Sequence, residues 1–194
     1  WTEKGTAWVD GAYATIPNKF VAAEVAGLRS ALPPQAGLTR TEVSTITNAP
    51  AMHTKFTPDE LDEVAAAGVF IVTQDAESGA VFIRHQLTTK TDSGSLYYED
   101  SVGTNVDDMS FGLKDLLLGY IGKKNVTPAT IALIRNRIYE RMLGYTLADQ
   151  NAFYGPQIIQ FADLVVQAHA TFKDRIEVSL TTEVPLPLNN IDVF

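Results

Sequence analysis

The sequence predicts an α+β chain in which about four helices pack on a mixed, largely antiparallel sheet. Three observations carry this. Two stretches open with a Thr-Pro helix start, two apolar runs face each other across a Gly-containing turn, and the C-terminal region alternates with period two. The predicted order is helix, helix, two strands, two helices, three strands, with no internal repeat.

Residues 1–17 contain both Trp residues and end at Pro17, which reads as an extended lead-in segment left from a preceding region. A domain then spans 18–194. Its first helix is expected after Asn18 as N-cap, with Phe20, Val21, Val25 and Leu28 at helical spacing, and Pro33-Pro34 stops it. Residues 35–56 show little periodicity and read as a long irregular connection. At Thr57-Pro58-Asp59-Glu60 a capping Thr, a first-turn Pro and a capping-box Glu coincide, with Gly68 as terminator.

GVFIVTQ and AVFIRHQLTT, joined through 75–79, predict a hairpin; 90–100 then reads as a polar loop. A helix is expected from near Asn105 to Gly122. Thr127-Pro128 opens the next, with Ile131, Ile134, Ile138 and Met142 as its buried stripe. After a loop at 148–157, Leu164, Val166 and Ala168 begin a strand. In RIEVSLTTEVPLPLNNIDVF, Ile176, Val178, Leu180, Thr182 and Val184 alternate with polar residues, and a second apolar run closes on Phe194. With Trp1 at one end and that run at the other, both ends read as cut from a longer polypeptide.

The chain has 194 residues, 45% hydrophobic and 20% charged, enough for one sizeable core or two small domains. It has no cysteine, hence no disulfide framework and no thiol chemistry. No apolar run approaches the roughly 18 to 20 residues of a membrane span, and a net charge of −8 argues against a broad nucleic-acid surface. Charge is segregated. Residues 51–110 carry 3 basic and 11 acidic side chains, whereas 111–150 carry 6 and 3. Two solvated faces explain this, and so does head-to-tail docking between copies.

Catalytic patterns are sparse. Asp92-Ser93-Gly94 has the form of an aspartic-protease loop, but it occurs once and follows a polar approach, so turn chemistry explains it; the alternative is an aspartic-type hydrolase using Asp92. His53, His85 and His169 lack metal-ligand spacing, and no metal or cofactor is expected. Asp107-Asp108 fits a helix start better than a cation site. The Gly119–Lys124 stretch lacks phosphate-loop spacing and falls at a helix end, where the dipole repels phosphate. Asn125-Val126-Thr127 is a sequon that also serves as a loop and cap.

The succession AAEVAGLRSALPP, FTPDELDEVAAAGVFIVTQ, VFIRHQLTT, DDMSFGLKDLLLGYIGKKN, TPATIALIRNRIYERMLGY and RIEVSLTTEVPLPLNNIDVF resembles the C-terminal, tube-proximal portion of contractile phage tail sheath proteins, over about residues 18–194. The resemblance implies a structural, non-enzymatic subunit that polymerises helically around an inner tail tube and contracts to drive it through the host envelope. It implies as partners further copies of the chain, the tube protein, and baseplate and tail terminator proteins, with no nucleic acid and no direct membrane insertion. It places the protein in the virion, assembled in the bacterial host cytoplasm. Sheaths of related injection machines, or another tail, baseplate or capsid-adaptor component, are the neighbouring readings. The candidate subunit contacts are Ile176, Val178 and Leu180 on the strand and Ile191, Val193 and Phe194 at the root of a C-terminal linking arm.

Overall fold

In the computed structural model, the described residues are 5–9, 12–48, 56–74, 79–91, 96–147 and 153–188. Among these residues four α-helices and seven strands form an α+β fold, and every strand pairing is antiparallel. The strands divide among three sheets, one of three strands and two of two. By contacts the chain separates into two compact units, Trp1–Gly103 with Pro187–Phe194, and Thr104–Leu186.

In the first unit, β1 (Gly5–Val9) and β2 (Ala12–Ile16) form a hairpin in register from Gly5↔Ile16 to Val9↔Ala12, and β1 also pairs with β3 (Ile46–Asn48). The lead-in segment is therefore built into a sheet. Helix α1 (Asn18–Ala31) begins at Asn18 itself, one residue earlier than a helix capped by Asn18 would. Pro17 occupies the N-cap position in an extended conformation (φ −63°, ψ 149°), and its apolar ring has no acceptor to make a side-chain cap. Leu32 is extended ahead of Pro33, and the helix stops there.

The segment following α1 is irregular but is not peripheral. Ala36, Leu38, Val43 and Ile46 are all buried. The backbone of 40–43 hydrogen-bonds along a neighbouring strand, with Arg40 N donating to Ile83 O at 2.7 Å and Val43 N to Val81 O at 2.8 Å. Helix α2 (Pro58–Ala66) has the full capping box: Thr57 Oγ1 accepts from Glu60 N, and the Glu60 carboxylate accepts from Thr57 N at 2.7 Å.

The hairpin of β4 (Ile71–Gln74) and β5 (Val81–His85) is the centre of this unit. Successive residues point to opposite faces. Val72, Val81 and Ile83 join Val21, Leu38 and Val43 in the cluster below α1, while Ile71 and Leu87 join Leu61 and Ala65 of α2. Gln86, fully buried, joins Leu38 to Ser101: its Oε1 accepts from Leu38 N at 2.7 Å and its Nε2 donates to Ser101 Oγ at 2.8 Å.

A short 3-10 turn (Leu96–Tyr98) leads into α3 (Asp100–Leu118), which starts five residues before Asn105. The Asp100 N–H donates to Gln86 O and the Gly103 N–H to Glu99 O, so backbone pairing extends the helix into what reads as polar loop in the sequence. The division between the units falls inside this helix.

The second unit continues α3 and adds α4 (Pro128–Thr146), β6 (Gln160–Ala168) and β7 (Ile176–Glu183). Thr127 caps α4 by accepting from Thr130 N, and Ile134, Ile138 and Met142 are buried while Ile131 is half-buried. Gly122, at φ 72°, closes the helical region before it. On α3, a Cβ at Gly112 would meet the Tyr145 hydroxyl of α4, the far end of a side chain that would have to swing aside. Asn105 Nδ2 donates to Gln157 O at 2.5 Å, and Gln157 Nε2 to Asp108 Oδ2 at 2.9 Å. No helix among the described residues is long and apolar enough to cross a membrane.

Candidate functional site

The β6–β7 ribbon presents the feature that the sequence singles out. Its turn is held locally: His169 Nδ1 accepts from Thr171 N at 3.1 Å and Phe172 N at 3.2 Å, and the Arg175 guanidinium lies 4.2 Å from the Phe172 ring centroid. Pairing then runs from Ala168↔Ile176 to Gln160↔Glu183. On one face, Gln160 Nε2 donates to Glu183 at 2.6 Å and Gln167 Nε2 to Glu177 at 3.2 Å. Ile176, Val178, Leu180 and Thr182 line the opposite face, each half-buried, and Phe161 stacks edge-on against Tyr139 of α4 at 5.4 Å.

The two edges of the ribbon differ. β6 is interrupted by a bulge between Ala162 and Val165, with Asp163 at φ 54° in the left-handed region. Two residues there face one on β7, which twists the strand and breaks a regular row of donors and acceptors. β7 is uninterrupted over eight residues. The carbonyls of Arg175 and Glu183 point at β6, accepting from His169 N and Ile159 N. Alternation therefore turns the N–H and C=O of Ile176, Val178, Leu180 and Thr182 to the other edge. No second strand pairs with β7 among the described residues.

A groove of about 390 Å³ opens at this strand's start, between the end of α3, the loop to α4 and the first turns of α4. Its apolar lining includes Leu117, Ile121, Val126, Ile134, Ile176 and Val178; its charged lining is Lys124, Asp174 and Arg175. This combination can receive an added strand: main-chain groups at the β7 edge, and apolar ground for alternate side chains.

Three of the sequence-predicted contact residues, Ile176, Val178 and Leu180, are thus brought together on one strand face. Ile191, Val193 and Phe194 lie outside the described residues, as do Asp92 and His53. His85 pairs with Glu99 at 2.7 Å, and His169 organises a turn. No group of three potential metal ligands clusters among the described residues. Neither the bulge at Asp163 nor the groove is among the expectations drawn from the sequence. The signal for the bulge is an Asp inside an apolar strand, a residue type that tolerates φ > 0.

Comparison with solved structures decides the fold. A chain of the anti-feeding prophage (AFP) baseplate superposes with a TM-score of 0.71 at 12% identity, covering 98% of this chain and 52% of that one. A chain of the AFP helical sheath in its contracted state gives 0.70 at 12% identity, covering 99% and 53%. The chain has a tail sheath fold. The sheath tail protein of Listeria innocua agrees, with a TM-score of 0.65 at 17% identity over 94% of this chain and 42% of that protein. The chain thus spans about half the length of the sheath-fold chains it matches. No family model and no curated protein matches it.

Proposed function

We propose that the chain serves as a structural part of a contractile tail sheath, corresponding to the tube-proximal portion of a subunit that polymerises around an inner tube. The observation that carries this reading is the uninterrupted β7 edge above an apolar groove, set within a sheath fold. A strand from a second copy pairs with the N–H and C=O of Ile176, Val178 and Leu180, and the occupant is the arm rooted at 191–194. Ile191 and Val193 alternate with Asp192, so in an extended arm the two apolar side chains share the face that meets the groove. Main-chain pairing supplies affinity without any chemically special residue, and repetition along a polymer supplies strength. The role is mechanical rather than enzymatic. Its partners are further copies, the tube, and the baseplate and terminator proteins, in a virion or virion-like tail assembled in the host cytoplasm.

A second reading, a baseplate-associated sheath-fold component, is favoured by the AFP baseplate likeness. It differs in copy number, a few per particle against many.

Val178→Pro tests the edge. Proline removes the outward N–H while leaving the β6 ladder intact, since edge strands accept it on their solvent side. In the full-length protein the variant is expected to keep its circular dichroism spectrum and lose tube formation by negative-stain electron microscopy. Tubes of normal length and number from a folded variant would contradict the assignment of the edge.

A further inference from the structure

A second contact between copies is written in the surface charge. Residues 116–148 hold five basic side chains, Lys123, Lys124, Arg135, Arg137 and Arg141, against the single acid Glu140, in a chain of net charge −8. The three arginines lie on α4 and are exposed. With Ile134, Ile138 and Met142 turned inward, Leu133, Arg137 and Arg141 follow at i, i+4 and i+8 as an outer ridge of the same helix, and Leu133 is 40% exposed. The described partners of these arginines are weak and local. Arg137 meets Glu140 at 3.1 Å with both side chains more than half exposed, and Arg141 lies 5.6 Å from the Tyr145 ring centroid.

The complementary surface is α2. Residues 56–83 contain six acids and no base. Glu60 is engaged in the capping box, and Asp62 meets Arg84 at 2.8 Å. Asp59 and Glu63 are exposed and have no side-chain partner among the described residues. With exposed Ala67 they form their own i, i+4, i+8 ridge. The helix start accounts for acids near Asp59, but it does not account for their matching the α4 ridge in spacing and order.

We propose that the α4 ridge of one copy docks antiparallel on the α2 ridge of a second copy, pairing Arg141 with Asp59, Arg137 with Glu63, and Leu133 with Ala67. Both ridges step by one helical turn, so two arginine–carboxylate pairs form at once, and the small Ala67 gives Leu133 flat ground. The contact joins two different surfaces, so it is heterologous and propagates into rings or helical polymers. Opposite potentials set its register and make it sensitive to salt. It involves neither the β7 edge nor the groove, and so stands apart from the strand-addition reading.

The absence of cysteine gives a clean test. Leu133→Cys and Ala67→Cys chains, which keep all four charges, are mixed in equal amounts and oxidised. Covalent dimer is read on a non-reducing gel against a control mixture of Ala67→Cys with Ser179→Cys. The expected result is a several-fold higher yield from the ridge pair than from the control. The yield falls to control level when Arg137→Glu and Arg141→Glu are added to the Leu133→Cys chain. It returns when Asp59→Lys and Glu63→Lys are added to the Ala67→Cys chain. A ridge-pair yield equal to control, or one unchanged by charge reversal, overturns the proposal. Val178→Pro leaves the cross-link in place, so this contact and the strand edge fail independently.

Discussion

Asp100 sits where α3 begins, with Arg29 Nη1 3.7 Å from its carboxylate. Arg29 is itself anchored to the turn after α1, donating to Ala36 O and Pro33 O at 2.6 Å each. Burial pushes the Asp100 carboxyl above its ordinary 3.8; Arg29 pulls it back down and Glu99 pushes it further up, with burial the largest effect. A carboxyl whose folded pKa is raised holds its proton more tightly in the folded state. Its contribution to stability is therefore fully present below 3.8 and is lost as pH rises through the folded value. Asp100→Asn removes this dependence. In denaturant titrations the variant should compare more favourably with the wild type at about pH 7 than at about pH 4. The opposite order would mean that the Arg29 pair outweighs burial. None of this is legible in the sequence, where Glu99-Asp100 reads as part of a polar loop. Gln86 is equally hidden: its amide is buried because it bridges Leu38 and Ser101, positions 48 and 15 residues away.

At the scale of elements, legibility follows how local the deciding chemistry is. Thr57-Pro58-Asp59-Glu60 announces α2, and the capping box forms as read, because every group involved lies within three residues. Thr127-Pro128 works the same way for α4. Thr57→Ala leaves the Glu60 N–H without its side-chain acceptor and should lower stability by about 1 kcal/mol, read as a shift in the chemical-denaturation midpoint. A variant as stable as the wild type would show that packing of Leu61 and Ala65 alone sets the helix start. The period-two pattern of β7 is legible for a similar reason, since its half-buried positions are the alternating apolar ones. The 36–46 segment is not. Its burial depends on hydrogen bonds from Arg40 and Val43 to β5, some 40 residues on, which leave no periodic mark. The pairing of β1 with β3 is likewise a long-range choice, so residues 5–16 read as merely extended.

For the whole molecule, the fold was legible through the order of its pieces rather than through any single motif, and the likeness to sheath-fold chains at 12–17% identity fits that pattern. A mechanical role needs edges and faces in place of a reactive centre. Among the described residues, the β6–β7 ribbon offers an unbroken strand edge over a groove and an edge interrupted by a bulge, and α4 and α2 carry ridges of opposite charge. Contacts of this kind are weak singly and strong when repeated, and they allow a polymer to hold more than one packing. The central claim is that β7 accepts a strand from a neighbouring copy inside a helical polymer. A helical cryo-electron-microscopy reconstruction of the assembled full-length protein tests it most directly. The account predicts a strand of another copy hydrogen-bonded along Ile176, Val178 and Leu180. An assembled tube in which that edge of β7 faces solvent, or a closed ring in place of a tube, would contradict it.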